Sequence, residues 1–476
     1  MSTESQSDLG ILAPLDEMMH PYRERFEIFS QLPARGRDRA EILGQMDQLE
    51  HLERSKWKGG FASGSVYHGD GEHIAFLNSV YALQSQANPL HADLWPSAAK
   101  FESEIVAMTA HMLGAGQIDA PFGSEDGICG SVTSGGSESI LLAMKTYRDW
   151  ARDKRGITQP EIVLPISAHA AFHKAAQYFN LETKVTPLDA DFRADVDAVA
   201  RAITPNTVAL VASAVNFPYG TIDPIDALGE LADKHGIALH VDGCLGGFFL
   251  PWVEKLGQKV PPFDFRTTGV TSMSCDTHKY GYAPKGTSVV LYRGHQLRRY
   301  QYFTVADWPG GLYYSPTFSG SRPGGLSAAC WAALVSMGEE GYLAATKKIL
   351  AAVATMRKGI ESIPELRVLG QPIGPYAVAS DSLDVYQVLD QMTARGWSLT
   401  GLLKPAAIHV SPTLRWAEPG VAERFVDHLG ESVTYVRDTP NIEGGMAPIY
   451  GLAAAIPDRT IVHDMLKQVM DIYYRL

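Results

Sequence analysis

Cysteine is scarce in this 476-residue chain: four residues, Cys129, Cys244, Cys275 and Cys330, with no CxxC pair among them. That pattern suggests neither a disulfide scaffold nor a zinc knuckle, and it suits reduced thiols in a reducing compartment. Long apolar runs are also missing. No stretch is long enough to span a bilayer, and the first residues lack the basic start and apolar core of a secretory signal. A soluble, cytoplasmic protein without a membrane-spanning segment is therefore expected. Positive charge is in deficit as well. Forty-one Lys and Arg against 53 Asp and Glu leave −12 at pH 7, which argues against a nucleic-acid partner. Internal repeats and low-complexity tracts are absent too.

What is there has an ordinary globular balance, 45% hydrophobic and 20% charged, with length enough for two or three domains. The first 20 or so residues read as a mobile arm, residues 22–54 as helical, and the Gly-, Ser- and aromatic-rich stretch 57–70 as a long ordered loop. From 97 to 300 helices alternate with short apolar strands. ESEIVAMTAHML (102–113) has helical periodicity, and 161–167, 207–215, 237–242 and 287–293 have strand length and composition. Residues 223–236 form a helix between two of these, ending at Gly236. This alternation predicts an α/β fold with a mainly parallel sheet covered on both faces. A long helix over 332–362 and the pattern of 384–400 lead into a smaller α+β unit. The expected division is an N-terminal helical segment with an interface loop (1–96), a large α/β domain (97–340) and a small C-terminal domain (341–476).

Four places carry chemistry. In SVTSGGSESILLAMK (131–145) a short strand runs into Ser134-Gly135-Gly136-Ser137 and a helix begins, a turn whose converging N–H groups suit a phosphate. An ordinary helix cap by Ser134 or Ser137, with nothing bound, fits the same residues. In HVDGCLGGF (240–248) Asp242 ends an apolar strand at the carboxyl edge of the sheet, where it can pair with a protonated ring nitrogen. A structural aspartate is the alternative. In SMSCDTHKYGYAPKG (272–286) Lys279 lies between His278 and Tyr280, a poor setting for a solvated lysine and a good one for an imine former. Lys285 is a second cation facing the same region, or else a loop lysine beside a strand. HAAFH (169–173) spaces His169 and His173 as zinc ligands on a helix. Ala170 stands where a zinc protease has its glutamate, and no third ligand is apparent, so no metal is expected. The imidazole of His169 could instead stack on a flat ring.

Phosphate turn, stacking imidazole, acid and imine lysine in this order resemble the sphingosine-1-phosphate lyases. The resemblance runs from about 57 to 451 through SGSVYHG, NPLHADLWP, VTSGGSESILLA, SAHAAFHKAA, FPYGTIDPI, HVDGCLGGF, DTHKYGYAPKG, GSRPGG and GGMAPIYGLA. It implies the aspartate-aminotransferase-like fold (fold type I) and pyridoxal 5′-phosphate as cofactor. Lys279 would carry that cofactor as a Schiff base, Asp242 would pair with its ring nitrogen and His169 would stack on its ring. The turn Ser134, Gly135, Gly136 and Ser137, with His278, would hold its phosphate. The resemblance further implies that Tyr67, Asn88, His91, Lys285 and Ser321 receive the phosphate head of the substrate. It implies a homodimer with the site at the subunit interface, the loop carrying Tyr67 crossing over from the partner. The hydrophobic N-terminal anchor of eukaryotic members is not seen, which suits the soluble bacterial form.

The implied reaction is retro-aldol cleavage of the C2–C3 bond of a long-chain base 1-phosphate, giving phosphoethanolamine and a long-chain aldehyde. Lys279 is the natural acid for C2. A phosphate, Lys285 and His91 are all candidates for the base at the C3 hydroxyl. The alternative is an amino-acid decarboxylase of the same fold, which shares the HVD and HK elements but has no need of Tyr67, His91 and Lys285. Gly243 and Cys275 depart from the alanines expected there, and Cys275 beside the site is expected to make the enzyme sensitive to thiol oxidation.

Overall fold

Leu12, Leu15 and Ile472 bury one another where the two ends of the chain meet in the computed structural model, which describes residues 12–439, 456 and 458–476. The expected mobile arm is thus helical over α1 (Ala13–Met19) and packed, because those apolar side chains have a partner surface. Arg23 holds Asp16 through two hydrogen bonds of 2.6 and 2.9 Å. The helix expected from residue 22 starts later, as α2 (Arg39–Lys58). Pro33 and Gly36 interrupt the earlier stretch, and the Asp38 carboxylate accepts from the N–H of Ala40 at 2.8 Å. Residues 57–70 then supply the expected loop before α3 (Gly71–Leu83), and α4 (Pro96–Met112) leads into the sheet.

Seven strands follow, with helices between them. They are β1 (Ile128–Thr133), α5 (Gly136–Arg155), β2 (Glu161–Pro165), α6 (Ala171–Phe179), β3 (Glu182–Thr186), α7 (Val196–Ala202) and β4 (Thr207–Ser213). Then come α8 (Ile225–His235), β5 (Ala238–Asp242), α9 (Leu250–Lys255), β6 (Val270–Cys275) and β7 (Ser288–Arg293). Their spatial order is β1-β7-β6-β5-β4-β2-β3, and only β7 runs antiparallel to its neighbours. Side chains alternate between two cores, as the pleat requires. Leu210, Ala212, Leu239 and Val241 pack with α4, α8 and α9, whereas Ala209, Val211 and Ala238 pack with α5 and α6.

Beyond the sheet lie α10 (His295–Arg298) and a hairpin of β8 (Phe303–Val305) and β9 (Tyr313–Ser315). The long helix α11 (Gly324–Glu361) follows, broken at Gly338, where φ is 55°. The C-terminal part builds a four-stranded antiparallel sheet from β10 (Arg367–Val368), β11 (Tyr376–Ala379), β12 (Thr400–Leu403) and β13 (Ala406–Val410). It carries α12 (Val385–Ala394) and α13 (Val421–Asp438), and α14 (Arg459–Tyr473) returns to α1. The motif GGMAPIYGLA lies outside the described residues.

Candidate active site

The carboxyl ends of β4, β5 and β6 bring Ser213, Asp242 and Ser274 side by side in register. Asp242 Oδ1 accepts from the Cys244 N–H at 3.0 Å and from the Ser274 hydroxyl at 3.2 Å. Ser274 in turn meets His240 Nε2 at 3.2 Å, and His240 Nδ1 meets Ser272 at 2.7 Å, where the Tyr147 hydroxyl joins. Burial drives the His240 pKa down to about 4. The imidazole is therefore neutral, and this buried chain of hydrogen bonds holds Asp242 in place without adding charge. His240, Ser272 and Ser274 carried no signal beyond the HVD and SMS strings themselves.

The glycine turn sits at the end of β1. Ser134 N–H donates to Glu138 at 2.6 Å, and the other Glu138 oxygen accepts from Phe318 N–H at 3.0 Å. No side chain caps the first turn of α5, so neither Ser134 nor Ser137 acts as the ordinary cap. A Cβ on Gly136 would lie 2.7 Å from both Asp276 Oδ1 and Cys244 Sγ. Only glycine fits there. The His278 ring abuts the same turn, its Cε1 3.9 Å from a Cβ built on Gly135, while its Nδ1 meets Thr287 O at 2.5 Å. Burial lowers the His278 pKa, against the pull of Asp276.

Lys279 lies in the connection from β6 to β7, its Nζ 2.9 Å from Asp276 Oδ2. Burial is the largest single influence and lowers its pKa, but the charge and hydrogen bond of Asp276, with the contributions of Cys244 and Tyr67, together outweigh it, and the net direction is upward. Burial pushes the Asp276 carboxyl upward, yet Lys279 and His278 hold it below the usual carboxylate range. Sequence reading passed over Asp276 because an acid three residues before a lysine has no pattern of its own.

Tyr67 is buried against Tyr280, ring centroids 4.9 Å apart, and Lys285 Nζ stands 5.1 Å above the Tyr67 ring. The loop bearing Tyr67 stands against Lys285 of the same chain, where Tyr67 O accepts from Leu414 N–H. A cavity of about 230 Å³ holds Tyr67, His278 and Lys285 together with His68 and His73. These two imidazoles stack at 4.0 Å, and burial with His73 beside it pulls the His68 pKa to about 4. Lys285 keeps solvent on one side, yet the protein around it and the charge of Lys279 draw its pKa down.

Asn88, His91 and Ser321 form a second group. Asn88 caps the turn Pro89–His91 and donates to Ser321 Oγ at 3.0 Å. Among the described residues no hydrogen bond or ion pair joins this group to Tyr67 or Lys285. His169 is exposed beyond β2, its Nδ1 accepting from Ala171 N–H at 3.1 Å, and it stands edge-on to Phe217 at 6.3 Å. A cavity of about 720 Å³ between α4, α9 and α11 contains none of these residues.

Cys275 is fully buried, and burial raises its thiol pKa well above the ordinary value. The expected oxidation sensitivity is thereby overturned: oxidation needs an accessible thiolate, and Cys275 offers neither access nor charge.

An uncapped helix start, a Cβ-free approach at Gly136, a half-buried lysine and an acid at the carboxyl edge of the sheet fit pyridoxal 5′-phosphate. Residues 65–370 match the pyridoxal-dependent decarboxylase conserved domain. The chain is 48% identical to a sphingosine-1-phosphate lyase of Arabidopsis thaliana, covering 93% of this chain and 81% of that one. It is 44% identical to sphingosine-1-phosphate lyase 1 of Mus musculus, covering 93% and 77%. A solved sphingosine-1-phosphate lyase of Burkholderia pseudomallei superposes with a TM-score of 0.89 at 45% identity, covering 96% of this chain and 99% of that one. A glutamate decarboxylase of Lactobacillus brevis shares the fold alone, with a TM-score of 0.73 at 19% identity over 88% and 98% of the two chains.

Proposed function

The chain belongs to the sphingosine-1-phosphate lyases, pyridoxal-phosphate-dependent enzymes, and from that membership we propose that it cleaves the C2–C3 bond of a long-chain base 1-phosphate. The products are phosphoethanolamine and a long-chain aldehyde. The observation that carries this reading is 48% identity to a sphingosine-1-phosphate lyase over 93% of the chain. When bound, pyridoxal 5′-phosphate supplies an aldehyde for an amine and a ring that accepts the electron pair left at C2.

The chain's own residues do the rest. Lys279 Nζ would hold the cofactor aldehyde carbon and, as a free amine, would hold the proton destined for C2. Asp242, held by Ser274 and the Cys244 N–H, would pair with the ring nitrogen and favour its protonated form. His169 covers the ring face, and Ser134, Gly135, Gly136, Ser137 and His278 take the cofactor phosphate. Lys285 and Tyr67, already in contact, receive the substrate head group. A decarboxylase has no use for that pair.

Asn88, His91 and Ser321 lie apart from Lys285 in one chain, and His91 and Ser321 are exposed. We place them in a homodimer, where these residues of a second copy complete the head-group site. Among the described residues no helix is long and apolar enough to cross a membrane, and the buried free cysteines suit a cytoplasmic setting.

Incubation with sphingosine 1-phosphate should release phosphoethanolamine and aldehyde, while glutamate and aromatic amino acids should yield no carbon dioxide. Carbon dioxide without aldehyde would replace this reading with the decarboxylase.

A further inference from the structure

Asp276 is a buried carboxylate for which the reaction just described has no use. It is 3% exposed. Its Oδ2 holds Lys279 Nζ at 2.9 Å and lies 3.9 Å from His278 Nε2. Its Oδ1 is buried without a hydrogen-bond partner and stands 2.7 Å from the place of a Cβ on Gly136. The acid therefore sits between the amine that bears the cofactor and the turn that takes the cofactor phosphate.

Two difficulties meet at this point. An ammonium is no nucleophile, so Lys279 has to lose a proton before its nitrogen can bond to an aldehyde carbon. A buried carboxylate stripped of its cation, with a phosphate arriving beside it, carries a large desolvation cost unless it is neutralised. The pair rests as ammonium and carboxylate, and one proton transfer, drawn forward by bond formation at the freed amine, resolves both.

We propose that Asp276 is the proton acceptor for Lys279 during cofactor loading and stays as a neutral acid afterwards. The ammonium proton crosses to Oδ2. The freed amine forms its bond to the aldehyde carbon, the aldehyde oxygen leaves as water with the two remaining amine hydrogens, and no further co-reactant is needed. The groups facing Asp276 are Lys279, His278, Lys285 and the Ser288 hydroxyl, with Tyr67, Cys244 and Cys275 around them. Of the cations among these, Lys279 is the one in contact. Asp276 acts through Lys279 and is a positioning residue.

The inference rests on Lys279 being the cofactor lysine. Borohydride reduction and peptide mapping check that separately, and a tag on another lysine would overturn both statements. The test of Asp276 itself strips the full-length enzyme of cofactor and follows reloading with pyridoxal 5′-phosphate by absorbance between about pH 7 and 9. With internal transfer the wild-type rate stays within about twofold across that range. In Asp276→Asn the amine must release its proton to solvent, so the rate climbs about tenfold per pH unit until the amine's own pKa. Infrared difference spectra of the wild type should gain a protonated-carboxyl band on loading. That band should shift with carbon-13 aspartate and be missing from Asp276→Asn. A wild-type rate that itself climbs tenfold per unit, or wild-type spectra without the band, would overturn the proposal even if the variant fails to fold.

Discussion

The sulfur of Cys275 stands 3.2 Å from the point where a methyl group on Gly243 would lie. Alanine is expected at both positions, so the two departures read as one exchange: a methyl removed at 243 makes room for a sulfur at 275. Gly243→Ala alone crowds Cys275 and the Ser274 carbonyl, 3.1 Å away, and should cost about 1–3 kcal/mol as overpacking. Cys275→Ala alone leaves a small void costing about 1 kcal/mol. The double variant should be more stable than the sum of the two predicts, by at least about 0.5 kcal/mol. Urea unfolding of all four proteins measures the coupling, and simple additivity would dissolve the pairing.

All four cysteines are buried. The folded enzyme should therefore resist thiol reagents over hours in which denatured protein labels fully. Cys275→Ala should leave the response to mild oxidants unchanged, as residual activity after timed exposure to peroxide would show.

In the proposed head-group site, Lys285 would separate a phosphorylated head group from a neutral one. Lys285→Ala should lower kcat/KM for the phosphorylated base by about 100-fold, since a charge-assisted contact is worth about 1.5–3 kcal/mol. Lys285→Arg should keep a larger share. Equal loss in both variants would remove Lys285 from the head-group site.

Three histidines, His68, His240 and His409, are each pulled down to about pKa 4 by burial. Their folded pKa values lie below the unfolded value, so the unfolded chain binds more protons and stability falls as pH drops from about 6.5 towards 4. Asp223 works the other way: burial raises it to about 7, and its contribution grows as pH falls from there. His409→Gln should flatten the acid limb by about one proton, or 1.4 kcal/mol per pH unit at most. Urea midpoints between pH 7 and 4, with an unchanged slope in the variant, would show that His409 titrates freely.

The large sheet was legible in sequence where buried strands are also apolar, and β6, buried but carrying Thr271, Ser272 and Ser274, was not read. EIVLP, TVALVAS and ALHVD are short apolar runs with no other reading. β3 was not, because ETKVT lies at the sheet edge and is buried only at Thr186, so no apolar run marks it. Of the site, Lys279, Asp242 and the glycine turn announce themselves by residue type beside strand ends. Asp276 and the stacked His68–His73 pair do not, since their meaning lies in contacts made by the fold.

His240 and Asp242 share one side of β5, while Leu239 and Val241 fill the core on the other. A slip of one residue would hand Val241 to the cofactor and bury a carboxylate in hydrocarbon. Selection on the enzyme thus has little freedom to trade chemistry against folding along this strand. With Asp242 as the proposed ring acid, a lineage that drifts in its apolar pattern would forfeit it in the same event, so activity here would double as proofreading of register.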